Sequence, residues 1–198
     1  MRLVCVAGIP GSGKTSVIRS SSQGKRFAFI ANSPESMEQM RDVAEKVDFY
    51  PFKTPCARIR QFSYRVDLNR FDDIPVMVSE PPGGCLEQSS PMLNLIYATQ
   101  PASYELGPLI TVIDGRTITN PISKHTTEGL RMFRMVDESD VVCVTFADSL
   151  DEDARSSIQE AIRSVNDACE VVFFSPSEGS GRMSELIFGD ARYSRPLE

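Results

Sequence analysis

Residues 8–15 match the pattern G-x-x-x-x-G-K-[ST] at every fixed position, directly after a strand-like apolar run. In this pattern the glycines let the backbone curl, so that successive N–H groups point at phosphate oxygens and the following helix adds its positive N-terminal end. We expect Lys14 to reach the β- and γ-phosphates and the hydroxyl of Thr15 to bind Mg²⁺. The predicted nucleotide contacts in this loop are Gly8, Pro10, Gly11, Ser12, Gly13, Lys14, Thr15 and Ser16.

A second group able to do chemistry follows another apolar run, where the sequence reads Glu-Pro-Pro-Gly at residues 80–83. A carboxylate at a strand end can hold Mg²⁺ or orient the attacking water, and the N–H of Gly83 can sense the γ-phosphate. We therefore predict Lys14 and Glu80 as catalytic residues, and Thr15 with Glu80 as Mg²⁺ ligands. The alternative is a surface glutamate that opens a proline turn.

Apolar, β-branched runs alternate with helix-like stretches along the chain, and such runs are typical of strands buried on both faces. The predicted strands are residues 3–7, 27–31, 76–78, 109–113, 141–144 and 171–174, with a short strand at 47–52. The predicted helices are residues 15–21, 36–45, 85–98, 123–137, 150–166 and 182–188. This alternation predicts an α/β, three-layer fold with a mostly parallel sheet and helices on both faces. Together with the motif at residues 8–15 it indicates a P-loop NTPase fold.

The chain has 198 residues, of which 41% are hydrophobic, enough to bury the core of one domain. We expect a single domain over residues 1–188, with an insertion or switch region at 46–72 and a C-terminal tail at 189–198. The net charge of -6 argues against nucleic-acid or membrane partners. The five cysteines are odd in number and form no C-x-x-C pair, and no signal peptide is evident, so we expect a cytoplasmic protein.

The residues at the ends of the predicted strands resemble those of the SIMIBI-class P-loop GTPases of the CobW, HypB and UreG type. That family uses Glu-x-x-Gly, as at residues 80–83 here, where most GTPases use Asp-x-x-Gly. Residues 27–32 look like the second strand of that family and the polar residue after it. Residues 110–114 look like its strand that ends in Asp, and residues 139–144 look like the strand before the base-recognition motif. The loop at residues 175–179 is similar to the family's S-A-x-x-G loop, which implies that Ser175 and Pro176 lie beside the base.

The base-recognition motif departs from the family, because Asn-Lys-x-Asp is replaced by Thr-Phe-Ala-Asp at residues 145–148. Asp148 retains the acceptor for the guanine N1 and N2 donors, and Phe146 is available to stack on the base in place of the lysine stem. The resemblance implies GTP as the ligand, with a preference over ATP that this change weakens. Alternatively, Asp148 begins or caps the helix that follows.

The cysteines also depart from the family, in which CobW-type proteins carry Cys-x-Cys-Cys after the second strand and UreG carries Cys-Pro-His. At the comparable place this chain has Cys56 alone. One thiolate cannot complete a four-ligand site, so a transition-metal role for Cys56 requires its symmetry mate in a homodimer, with Cys85 as a further ligand. An isolated cysteine otherwise serves as a small buried hydrophobe.

Three functions follow from these observations. The first is a slow, Mg²⁺-dependent GTPase that acts as a switch or chaperone, delivering a metal or cofactor to an unidentified client protein. We find no arginine finger in the chain, so a dimer or client would complete its site. The second is an adenylate-kinase-like small-molecule phosphotransferase, since residues 8–14 also look like the loop of those enzymes. The third is a nucleotide-binding module without turnover.

Overall fold

Seven strands form one sheet in the computed structural model, which describes residues 1–49, 71, 73–81 and 105–190. They are β1 (Arg2–Gly8), β2 (Phe27–Ala31), β3 (Lys46–Phe49), β4 (Val76–Ser79), β5 (Glu105–Asp114), β6 (Val141–Thr145) and β7 (Glu170–Phe174). The order across the sheet is β3-β2-β4-β1-β5-β6-β7, and every neighbouring pair runs parallel. All carboxyl ends therefore lie along one edge.

Five helices lie in the described residues, and they cover both faces of the sheet. They are α1 (Lys14–Ser21), α2 (Pro34–Met40), α3 (Thr127–Glu138), α4 (Glu152–Arg163) and α5 (Ser180–Phe188). Helices α1, α2 and α5 pack on the face that carries Val4 and Val6, whereas α3 and α4 pack on the face that carries Val142 and Val144. The predicted three-layer fold with a parallel sheet is confirmed.

Capping residues account for helix boundaries that differ from the prediction. Helix α2 begins before the predicted residue 36, because Ser33 and Ser36 form reciprocal hydrogen bonds around its first turn. Helix α3 begins after the predicted residue 123, because the hydroxyl of Thr126 accepts the N–H of Gly129 at 3.0 Å. The predicted helix at 85–98 lies outside the described residues, as do most of the region 46–72 and residues 191–198.

The centre of the sheet determines where the phosphate loop sits. Strand β1 pairs with β4 on one side and with β5 on the other. At the end of β1, Gly8 approaches β5 so closely that a Cβ atom there would lie 2.5 Å from the carbonyl oxygen of Val112. A side chain at this position would push the two central strands apart.

None of the described helices combines the length and the apolar character that crossing a membrane requires.

Candidate nucleotide-binding site

The phosphate loop connects β1 to α1 through backbone conformations that favour glycine. Gly11 has φ +84° and Gly13, the residue before α1, has φ +88°. For an L-residue this left-handed region costs roughly 1–2 kcal/mol. The N–H of Ser12 donates to the carbonyl oxygen of Ile9 at 3.1 Å, which closes the loop on itself. The loop therefore leads directly into the N-terminus of α1, where anions bind well.

Three of the predicted site residues meet at this loop. The ammonium of Lys14 is buried, and its Nζ donates to the carbonyl oxygens of Gly8 at 3.1 Å and Ile9 at 3.2 Å. The same Nζ lies 3.9 Å from Oε1 of Glu80. The hydroxyl of Thr15 donates to Oε2 of Glu80 at 3.0 Å. The carboxylate that follows β4 thus contacts the two loop residues that the sequence pairs with phosphate and Mg²⁺.

Burial shifts both charged groups toward their neutral forms. The pKa of Lys14 lies below its ordinary value because burial disfavours the ammonium, although the charge of Glu80 opposes this shift. The pKa of Glu80 lies above its ordinary value because burial disfavours the carboxylate, although Lys14 and the Thr15 hydroxyl oppose it. An anion beside Lys14 and a cation beside Glu80 would therefore stabilise the charged form of each.

A cleft of about 450 Å³ opens over these residues. It is lined by Pro10, Gly11, Gly13, Lys14, Thr15, Ser16, Asn32, Ser33, Glu35, Ser36, Gln39, Glu80 and Pro81. Two buried oxygens, Oγ of Ser12 in the loop and Oδ1 of Asn32 at the cleft, have no hydrogen-bond partner among the described residues. The hydroxyl of Thr15 and the carboxylate of Glu80 are hard oxygen donors, which suits Mg²⁺. The residues present therefore fit this ion.

The predicted base-recognition residues lie on the other side of the phosphate loop, after β6 and β7. Asp148 is exposed in a short 3₁₀ turn (Ala147–Ser149). The cap of α4 is Asp151, whose carboxylate accepts the N–H of Ala154 at 2.8 Å. The alternative that Asp148 begins or caps this helix is therefore wrong.

Phe146 precedes this turn in an unusual conformation. Among the described non-glycine residues only Phe146 has a positive φ, of 60°, and 36% of its surface is exposed. The guanidinium of Arg116 lies 3.6 Å from the centre of its ring, and Asp114 holds Arg116 through two bonds of 2.7 and 2.9 Å. Strained residues concentrate at functional sites. Arg116 is not among the residues that the sequence predicts for the site, and its one signal there is its place just after a strand that ends in Asp.

The loop after β7 contains the other two predicted base contacts. Ser175 is buried, and its N–H donates to the carbonyl oxygen of Glu178 at 2.9 Å, whereas Pro176 is exposed. These residues and Asp148 do not line the phosphate cleft, since β5 to β7 and β4 lie on opposite sides of β1. Gly83 falls outside the described residues.

The cysteines of the described residues do not form a metal site. Cys5, Cys143 and Cys169 are buried, and burial raises the pKa of the Cys143 and Cys169 thiols, which disfavours the thiolate that binds metals. In the part of the chain that the structure describes, no group of three or more His, Cys, Asp or Glu side chains is arranged to hold a metal ion. Cys56 and Cys85 lie outside that part.

Solved structures show the same fold. Hydrogenase maturation factor HypB from Archaeoglobus fulgidus is similar with a TM-score of 0.67 and 14% identity, over 93% of this chain and 87% of that one. HypB from Helicobacter pylori, solved in complex with nickel, has a TM-score of 0.62 and 13% identity, over 92% and 81%. The YjiA GTPase from E. coli, solved with Zn(II) bound, has a TM-score of 0.60 and 14% identity, over 98% and 67%.

Sequence comparison identifies the family. No curated protein is significantly similar to this chain in sequence. The family model for the CobW/HypB/UreG nucleotide-binding domain matches residues 2–173, which include the phosphate loop, Glu80 and the Asp148 turn after β6. The resemblance inferred from the strand-end residues is confirmed: the chain belongs to the CobW/HypB/UreG family, whose nucleotide-binding domain it carries.

Proposed function

We propose that the chain is a Mg²⁺-dependent GTPase with slow turnover on its own, acting as a switch or chaperone that delivers a metal or cofactor to a client protein. The observation that carries this proposal is the contact of Glu80 with both Lys14 and Thr15. The three side chains lie at the floor of one cleft, with 3.0 Å between the Thr15 hydroxyl and the carboxylate and 3.9 Å between the carboxylate and the ammonium.

Each residue has a defined part in this reaction. Lys14 and the loop N–H groups bind the β- and γ-phosphates and stabilise the charge that develops on them. Thr15 and Glu80 would hold Mg²⁺, which neutralises phosphate charge when bound. The carboxylate of Glu80 orients a water and accepts its proton. The water oxygen then bonds to the γ-phosphorus as the bond from that phosphorus to the bridging oxygen breaks, and the products are GDP and phosphate.

The choice of base rests on the loops after β6 and β7. Asp148 supplies a carboxylate that accepts from the N1–H and the 2-amino group of guanine, donors that adenine lacks. Phe146 supplies an exposed ring at the position of the family's lysine, and Arg116 covers one face of that ring. Ser175 and Pro176 would border the base from the loop after β7. We therefore propose GTP as the preferred ligand.

The cargo proposal rests on the structural neighbours and on the cysteines. The H. pylori HypB was solved with nickel and YjiA with zinc. We propose that this chain likewise handles a transition metal, with Cys56 as a ligand shared between two copies in a nucleotide-promoted homodimer. Sedimentation with and without a GTP analogue tests the dimer. A monomer in both conditions would overturn the shared site.

Binding and turnover test the GTPase proposal separately. Titration with labelled GTP and ATP in the presence of Mg²⁺ is expected to show tighter GTP binding; equal or tighter ATP binding would overturn the role of Asp148. Phosphate release without an acceptor is expected for wild type and for Glu38→Gln, an exposed control on α2. The same release should be lost in Glu80→Gln. Phosphate transfer that requires a metabolite acceptor would instead identify a phosphotransferase. Nucleotide binding without hydrolysis or transfer would identify a nucleotide-binding module without turnover.

A further inference from the structure

Arg155, near the start of α4, joins the two loops that follow β6 and β7. Its guanidinium donates to both carboxylate oxygens of Glu178, with Nη1 to Oε1 at 2.8 Å and Nη2 to Oε2 at 2.9 Å. The same Nη2 donates to the carbonyl oxygen of Ala147 at 2.7 Å. Ala147 directly precedes Asp148, and Glu178 closes the turn that begins at Ser175. One side chain therefore fixes both loops.

The geometry of this link requires an arginine. Only a planar, forked guanidinium can bond two carboxylate oxygens in parallel and still direct an N–H at a third acceptor. Three-quarters of the side chain is shielded from solvent, and its guanidinium carbon lies 5.4 Å from the centre of the Phe173 ring on β7. A lysine at this position would keep the charge but could not make the three bonds together.

We propose that Arg155 is a positioning residue for recognition of the nucleobase: by tying Ala147 to Glu178 it sets the distance between the Asp148 turn and the Ser175 loop. The inference rests on the proposed function, which places the base between these loops. Arg155 does not line the phosphate cleft, so its effect concerns the base and not the phosphates. Glu178 acts with it as the second half of the link.

The measurement that tests this role is the ratio of the affinities for GTP and for inosine triphosphate. The two nucleotides carry the same phosphates, sugar and N1–H, and inosine lacks only the 2-amino group that Asp148 is proposed to accept from. A change that merely weakens the fold would lower both affinities in parallel. A change that displaces the Asp148 turn would lower the GTP affinity more than the inosine triphosphate affinity, because GTP loses the contacts of its N1–H and its 2-amino group, whereas inosine triphosphate loses that of its N1–H alone.

The variants Arg155→Lys and Glu178→Gln each break the link in a different way. Arg182→Lys is the matched control, because Arg182 makes a similar forked contact to Glu170 at 2.6 and 2.8 Å, at the end of β7 remote from the loop. We expect both test variants to lower the GTP affinity about tenfold and the inosine triphosphate affinity about threefold, so that the ratio of the two affinities falls about threefold. Arg182→Lys should leave the ratio unchanged.

Asp148→Asn separates failure of the inference from failure of the proposed function. If Asp148→Asn abolishes the preference for GTP over inosine triphosphate while Arg155→Lys and Glu178→Gln retain it, the positioning role is wrong and the proposed base site stands. If wild type shows no preference, the proposed guanine site fails, and the positioning role fails with it. Parallel loss of both affinities in both link variants would show that Arg155 only supports the fold.

Discussion

The hydroxyl of Thr145, the last residue of β6, donates a hydrogen bond of 2.8 Å to the carbonyl oxygen of Ser12 inside the phosphate loop. Both residues are buried. Thr145 occupies the first position of the altered base-recognition motif, so this bond connects the strand that leads to Asp148 with the loop that is proposed to bind the phosphates. The Thr145 side chain also lies beside Gly13, because a Cβ atom added to that glycine would come 3.4 Å from the Thr145 Cγ2 atom.

Replacing Thr145 by valine should loosen the phosphate loop. Thr145→Val keeps the shape but removes the donor to Ser12, and loss of one buried hydrogen bond costs about 1–3 kcal/mol. We expect a lower free energy of unfolding and weaker binding of both GTP and ATP, measured by denaturant titration and by nucleotide titration. Thr119→Val is the control, because its hydroxyl bonds the Pro121 carbonyl at an exposed site. Equal behaviour of the two variants would contradict the role of Thr145.

The pH range over which the proposed hydrolysis proceeds should be narrowed at its acid and at its alkaline end. The proposed reaction needs Glu80 ionised and Lys14 protonated. Because burial raises the pKa of Glu80 above 4.5, the carboxylate is lost at a higher pH than usual as the solution is acidified. Because burial lowers the pKa of Lys14 below 10.5, its ammonium is lost at a lower pH than usual as the solution is made alkaline. The profile of kcat/KM, which reports the free protein, measures both limits.

The phosphates of the nucleotide titrate alike in all variants, so a shift of the acid limb in Glu80→Asp would identify that limb with Glu80. Glu38→Gln should reproduce the wild-type profile. An acid limb at or below 4.5 in wild type would contradict the assignment of Glu80.

Alanine substitutions at two glycines with positive φ separate the cost of backbone strain from the cost of a steric clash. Gly24 has φ +70°, and no atom lies within 4 Å of the place that a Cβ would take, so Gly24→Ala should cost about 1–2 kcal/mol from conformation alone. Gly8→Ala brings a Cβ against the Val112 carbonyl and should cost roughly 1–3 kcal/mol more, with loss of nucleotide binding. Thermal unfolding and GTP titration measure both. Retained binding in Gly8→Ala would show that β1 and β5 can separate without disturbing the loop.

The exposed ring of Phe146 can be converted into a reporter, because the chain contains no tryptophan. If the base stacks on this ring, GTP should change the emission of Phe146→Trp. Phe133→Trp is the matched control, because a cation also lies over the Phe133 ring, with Lys124 Nζ 3.7 Å from the ring centre. Phe133 lies on α3, away from the loops after β6 and β7. Phe146→Ala should weaken GTP binding by about 1–3 kcal/mol. An unchanged signal in Phe146→Trp would place the base elsewhere.

Strand and helix types were predictable because apolar periodicity reflects burial directly. Each predicted strand in the described residues is present, and the parallel order follows from the alternation with helices. Helix ends were less accurate, since the caps at Ser33 and Thr126 depend on side-chain bonds to backbone that composition alone does not reveal.

The site was predictable where short spacing encodes it and not where distant segments meet. The glycines and Lys14 stand within one loop, and Glu80 follows a recognisable strand. Arg116 and Arg155 gave no comparable signal, because their contacts join segments that are 30 or 23 positions apart in the sequence, at Phe146 and Glu178. Only the pairing of the strands in the folded sheet brings these segments together.

The position of β1 in the middle of the sheet joins the N-terminus of the chain to segments far along the sequence. Arg2 pairs with Val76 and Gly8 pairs with Val112, so both neighbours of β1 lie far downstream in the sequence. Contacts between such distant segments form slowly. Gly8 stands both at the start of the phosphate loop and in register with Val112 of β5, so the loop and the central strand pairing share a residue. A ligand that binds the native state alone stabilises that state, and nucleotide bound at the loop would therefore stabilise the pairing of β1 with β5 as well.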